Sequence, residues 1–138
     1  MSIKKKWKNK IWVNGCFDIL HIGHIRLLEY AKSRGDFLTV GIDSDNRVKE
    51  LKGKDRPINS EFLRIEMLEA IKWVDNVVVF SSDKGLEQLI RLYSDLIIIG
   101  SDYRTKTIVG SQYSKVEFFD RIDNYSTTNL VKRINRRE

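Results

Sequence analysis

His21 and His24 are the two histidines of the chain, and they stand three residues apart within the run Asn14-Gly15-Cys16-Phe17-Asp18-Ile19-Leu20-His21-Ile22-Gly23-His24. On the first turn of a helix that spacing sets both imidazoles on one face. Upstream, Ile11, Trp12 and Val13 read as a short buried strand over residues 10–14. Downstream, Ile25, Leu27, Leu28 and Ala31 have the spacing of an amphipathic helix. A strand that passes through a glycine turn into a helix start gathers unsatisfied backbone N–H groups, and such a place attracts phosphate. Two imidazole donors beside those amides suit a triphosphate. The plainer reading of the pair is surface or capping residues. A zinc site would need one or two further ligands. Cys16, the lone cysteine, lies too close in sequence to complete such a set, so no protein metal ligand is assigned.

The elements that would position these residues follow from patterning. Buried strands are expected over 37–42, 76–80, 95–100 and 116–119, each rich in aliphatic or aromatic side chains. Helices are expected after Ser44 (a short one, through 47–49), over 60–73, over 85–93 and over 128–135. Polar loops fill 52–59 and 101–112. Five strands alternating with helices, several strands being unbroken aliphatic runs, imply an α/β fold with a parallel sheet covered on both faces. Ligands in such a sheet bind beyond the carboxyl ends of the strands, where strand order reverses. The 15–24 turn and the loops after Ile42 and Ile99 share that rim.

The length, 138 residues, suits one domain, and 41% hydrophobic with 32% charged residues is the balance of an ordinary globular protein. The net charge of +6 admits a polyanionic partner. Nucleic acid is the reading from another class. It is not favoured, because the basic residues do not interleave with aromatics and no nucleic-acid-binding signature occurs. The basic run at Lys4, Lys5 and Lys6 is not followed by an apolar stretch, so no signal peptide is expected. No apolar run approaches membrane-spanning length. A single cysteine suits a reducing cytoplasm, the expected location.

Several of these segments carry a family resemblance. Residues 15–24 resemble the HxGH signature of the nucleotidyltransferase superfamily that includes the cytidylyltransferases. Leu51-Lys52-Gly53-Lys54-Asp55-Arg56-Pro57-Ile58-Asn59 resembles the LKGxxRPxN segment of bacterial heptose-phosphate adenylyltransferases. Gly100-Ser101-Asp102-Tyr103 with Ile108-Val109-Gly110-Ser111 resembles their GGDY…IxGS segment, although Ile99 stands where those enzymes often have lysine. Tyr125-Ser126-Thr127-Thr128-Asn129-Leu130 resembles the second family signature, a hydroxyl-rich helix start. Arg64 matches an arginine present in both the sugar-phosphate and glycerol-phosphate branches. Arg121 matches the arginine that opens the cytidylyltransferase RTEGIST motif, with Asp123 and Asn124 in place of its glutamate and glycine; heptose enzymes usually lack that arginine.

The resemblance spans about residues 11–134, fits the heptose branch best by number of segments, and implies a Rossmann-like three-layer sandwich. It implies transfer of NMP from an NTP to a phosphorylated sugar or polyol with release of pyrophosphate. ATP with heptose 1-phosphate is the expected pair and CTP with glycerol 3-phosphate the alternative. His21, His24, Lys52 and Lys54 would be catalytic. Gly15, Cys16, Phe17, Asp18, Arg64, Gly100, Asp102, Tyr103, Arg121, Ser126, Thr127 and Thr128 would bind nucleotide and phosphates. Mg²⁺ would arrive with the NTP, and the assembly would be a homodimer.

Overall fold

The computed structural model describes residues 9–120 and 126–136. In chain order the elements are β1 (Lys10–Gly15), α1 (Ile22–Ser33), β2 (Phe37–Asp43), α2 (Asp45–Lys52) and α3 (Glu61–Glu69). Then follow β3 (Asn76–Phe80), α4 (Asp83–Tyr93), β4 (Leu96–Gly100), β5 (Lys115–Phe119) and α5 (Thr127–Asn135). The five strands form one sheet in the order β3-β2-β1-β4-β5, with every pairing parallel. This is the doubly wound, Rossmann-like arrangement.

Side-chain alternation along the central strands builds the layers. Ile11 and Val13 of β1 join Leu38, Val40 and Ile42 of β2 on one face, under Leu28 and Ala31 of α1 and Leu68 of α3. Trp12 and Ile97 turn to the other face and pack with Phe80 and with Leu86 and Ile90 of α4. Removing such a side chain from water is worth about 1.5–3 kcal/mol each, so helices are held on both faces of the sheet.

The register of β1 places the site. β1 pairs with β2 along its whole length, from Lys10↔Phe37 to Gly15↔Ile42. With β4 it pairs only at Ile11↔Leu96 and Trp12↔Ile97. Beyond Trp12 the two strands part, and a crevice opens at the carboxyl ends of β1 and β4, the point where strand order reverses.

Two helices differ from their sequence-based bounds. α2 extends from Asp45 to Lys52, because the Oγ of Ser44 caps it by accepting from the N–H of Arg47 at 3.2 Å. Lys52 therefore ends a helix and does not sit within a loop. α3 stops at Glu69. Past Ala70 the chain turns (Ile71 N–H to the Leu68 carbonyl, Val74 N–H to the Ile71 carbonyl) so that Asp75 can donate to Leu38 at 3.0 Å and start β3.

Candidate active site

The start of α1 is built by the two histidines themselves. His21 is the N-cap, and its Nδ1 accepts from the N–H of Gly23 at 3.1 Å. The Nδ1 of His24 accepts in return from the N–H of His21 at 3.2 Å. This is a capping box with imidazoles in place of the usual hydroxyl and carboxylate. The rings stack with centroids 3.8 Å apart and 29° between planes. A neutral imidazole that accepts at Nδ1 carries its proton on Nε2. Capping thus sets the tautomer of both rings, with the ring proton on Nε2. The capping reading and the phosphate reading of the pair are compatible, because they use different nitrogens.

The turn that leads into α1 is strained and tightly held. Phe17 and Ile19 have φ of 51° and 52°, a conformation costly for any non-glycine residue and most of all for a β-branched one. Asp18 stands between them, and its carboxylate is wholly enclosed. It accepts from the N–H groups of Ile58 at 2.7 Å and Asn59 at 2.9 Å, and from the Nε of Arg56 at 3.3 Å. The hydroxyl of Thr127 donates to the backbone carbonyl of Asp18 and reaches that of Ile19 at 3.3 Å. The signature turn, the 53–59 loop and the head of α5 therefore meet at one residue.

A cavity of about 420 Å³ fills the crevice. Its floor is Asn14, Gly15, Cys16 and Phe17, with His21, Gly23 and His24 at the head of α1. One wall is Asp43, Arg47, Leu51 and Lys52. The other is Ile99, Gly100, Tyr103 and Phe119, with Ser126, Thr127 and Thr128 at the head of α5. Ser126 caps α5 by accepting from the N–H of Asn129 at 3.0 Å and keeps its own hydroxyl proton to donate. Burial pushes the Cys16 thiol pKa up, against the pull of Lys52 and Arg64, which disfavours the thiolate.

Four candidates stand elsewhere. Asp18 holds the turn from beneath and contributes no surface to the cavity. Arg64, 1% exposed, spends its guanidinium on the carbonyls of Asn59 (3.0 Å), Cys16 (2.9 Å) and Asp43 (2.7 Å), and on the Asp45 carboxylate (2.8 Å). It is a strut that ties α3 to the turn after β1, to the end of β2 and to α2. Lys54 is exposed on the loop and Asp102 lies in the 3-10 turn after β4; neither lines the cavity. Arg121, with Asp123, Asn124 and Tyr125, lies outside the described residues.

Sequence reasoning did not single out Asn14, Asp43 or Arg47. Asp43 and Arg47 pair at 2.8 Å, and Arg47 also reaches Asp83 at 2.6 Å. Their signal was positional: Asp43 ends β2 on the binding rim, and Arg47 lies one helical turn further on.

Residues 12–133 match the family model described as cytidylyltransferase-like. A parallel Rossmann-like sheet with an imidazole-capped helix at its switch point defines a nucleotide-handling α/β domain, and this chain belongs to the cytidylyltransferase-like family. Among its relatives is a protein of Campylobacter jejuni subsp. doylei named bifunctional protein HldE, 47% identical over 133 residues that cover 96% of this chain and 29% of that protein. A protein of the same name from Nitratiruptor sp. is 44% identical over 134 residues, again 96% of this chain and 29% of the relative. The chain thus spans less than a third of the length of these relatives. Among solved structures, a lipopolysaccharide core biosynthesis protein from Thermoplasma volcanium superposes with a TM-score of 0.69 at 27% identity. The match covers 83% of this chain and 98% of that one.

Proposed function

We propose that this chain transfers the nucleoside monophosphate of an NTP to the phosphate of a small sugar phosphate, expelling pyrophosphate, with ATP and heptose 1-phosphate as substrates and ADP-heptose as product. The observation that carries the reading is the imidazole pair, stacked on one side of the crevice with both tautomers fixed as Nε2–H donors. The names of the relatives and the heptose-type segments at 51–59 and 100–111 support the choice of acceptor.

In this reading the acceptor phosphate attacks the α-phosphorus in line. A phosphate monoester has a second pKa of ~6 and is mostly dianionic at neutral pH, so no general base is required. Rate acceleration then rests on orientation and on donors aimed at developing charge. His21 and His24 would hold the α- and β-phosphates, and Ser126, Thr127 and Thr128 with the α5 amides the terminal ones. Lys52, with Lys54 swinging in from the loop, would neutralise the leaving pyrophosphate. Gly100 and Tyr103 would face base and ribose, and Asp102 and Arg121 remain candidates on that side.

Mg²⁺ would enter with the NTP, held by phosphate oxygens and water. Among the described residues no cluster of three metal-ligating side chains occurs, and Asp43, the one carboxylate of the cavity wall, is engaged by Arg47. In this reading the chain's own residues bind and orient the substrates. Among the described residues no helix is long and apolar enough to cross a membrane. A homodimer in the cytoplasm is the proposed assembly and location, the former checked by light scattering.

The test is pyrophosphate release with ATP and CTP, each crossed with heptose 1-phosphate and glycerol 3-phosphate. Turnover confined to ATP with heptose 1-phosphate is the expected result. Turnover only with CTP and glycerol 3-phosphate would move the chain to the cytidylyltransferase branch, and no release with any pair would refute the reading.

A further inference from the structure

We propose that Asn14 is a specificity-determining residue that reads an oxygen of the phosphorylated acceptor, and that the buried indole of Trp12 positions it; the inference rests on the transfer reaction proposed above. Trp12 is completely buried, yet its Nε1–H is satisfied by a single polar group, the Oδ1 of Asn14 at 2.8 Å. An indole nitrogen only donates, so the amide has one orientation: oxygen toward Trp12 and the NH₂ group away from it. That NH₂ makes no hydrogen bond among the described residues, and Asn14 lines the cavity. The amide therefore brings to the cavity wall a group that can only donate.

The surrounding register is built to seat this pair. Gly41 lies opposite Asn14 on β2, and a Cβ there would come within 2.4 Å of the Trp12 ring. β1 leaves β4 directly after Trp12, so Asn14 is the first residue of that face to look into the gap. On the same face of β2 stands Asp43, paired with Arg47. In the proposed reaction the histidines and the α5 hydroxyls hold the polyphosphate, and Lys52 meets its leaving end. The space beside Asn14, Asp43 and Arg47 is left for the acceptor, whose hydroxyl and phosphate oxygens are the acceptors that an amide NH₂ requires.

Two variants test this in the full chain. Asn14→Asp keeps the oxygen that receives the Trp12 N–H but turns the donor into a charged acceptor. It should raise KM for heptose 1-phosphate by about 10-fold or more while KM for ATP stays within about 2-fold. Trp12→Phe keeps an aromatic in the core but frees the amide to rotate. It should raise the same KM by about 3- to 10-fold with kcat little changed, whereas a merely structural loss would lower kcat and both affinities together. Unchanged KM for heptose 1-phosphate in Asn14→Asp, or a rise confined to ATP, overturns the inference. Calorimetric titration of heptose 1-phosphate alone separates this from failure of the reaction reading. Binding to the wild type that Asn14→Asp weakens supports the inference even if no pyrophosphate is released, and absence of binding to the wild type overturns it.

Discussion

At the level of single residues, the histidine pair does two jobs that can be pulled apart by substitution. The Nδ1 atoms hold the helix start, and the Nε2–H groups are the donors that the proposed reaction uses. Asparagine is as good an N-cap as serine or aspartate, so His21→Asn should keep α1 while deleting the Nε2 donor. We expect the melting temperature to hold and kcat to fall by about 10²-fold or more, the loss seen when one preorganised transition-state donor is removed. Near wild-type turnover in the folded variant would return the pair to capping alone. Asp18 behaves in the opposite way. Its carboxylate accepts from two backbone N–H groups and from Arg56, whose Nη2 is buried with no partner among the described residues. Asp18→Asn would set an amide against those donors and leave the guanidinium buried without its counter-charge. A loss of about 3–5 kcal/mol is expected, measurable as a lower urea midpoint. If stability were unchanged and only KM for the NTP rose, Asp18 would be a ligand contact after all.

At the level of elements, the head of α5 is as much a clamp as a binding site. The Thr127 hydroxyl closes on the carbonyls of the left-handed turn. Thr127→Val keeps the shape and deletes the clamp, so we expect about 1–3 kcal/mol of destabilisation with a fall in kcat, read from chemical denaturation and from single-turnover rates. The strands, their parallel arrangement and the rim on which the site lies were legible in the sequence, because unbroken aliphatic runs between helical periods admit few alternatives. Capping was one reading of the histidine pair, but its reciprocal form was not legible, since the donors to the two Nδ1 atoms are backbone N–H groups that no residue pattern displays. The fate of Asp18 and Arg64 was hidden for a related reason: motif position places a charged residue near phosphate, but whether its charge faces the ligand or the scaffold depends on backbone groups brought in from other segments, such as Ile58 and Asn59 for Asp18 and Cys16 and Asp43 for Arg64. In α3, Phe62, Leu63 and Met67 sit at helical spacing and nevertheless face solvent at 81%, 52% and 53% exposure. The helix buries the polar Arg64 beside Leu68, with Ile65 packed against the core, so the buried face is not simply its most apolar one.

At the level of the whole molecule, the far wall of the crevice hangs on an edge strand. β5 borders only β4, carries Phe119 into the cavity wall, and is tied to α1 by Glu117. That carboxylate accepts from the Tyr30 hydroxyl and from Arg34, whose Nη2 lies 2.9 Å away. The Tyr30 hydrogen bond first, and then the Arg34 bond and charge, hold the Glu117 pKa below its ordinary 4.5. The same bond raises the Tyr30 pKa above its ordinary 10.0. A carboxyl whose pKa is lower in the folded state contributes its full stabilisation above the unfolded value and loses it as pH falls through the folded one. The unfolded chain takes up the proton first. For the tyrosine the order is reversed, and its contribution is complete below 10.0 and is lost only as pH rises through its raised folded value. Between those limits the tie between α1 and β5 is indifferent to pH. The melting temperature of the wild type should therefore fall more steeply than that of Glu117→Gln once the pH drops below about 4.5, while the two curves run parallel from pH 6 to 9. The group is partly exposed and screened by solvent, so the difference should shrink at high salt. Parallel curves through the acid range at low salt would show that the edge strand is held by packing against β4 alone.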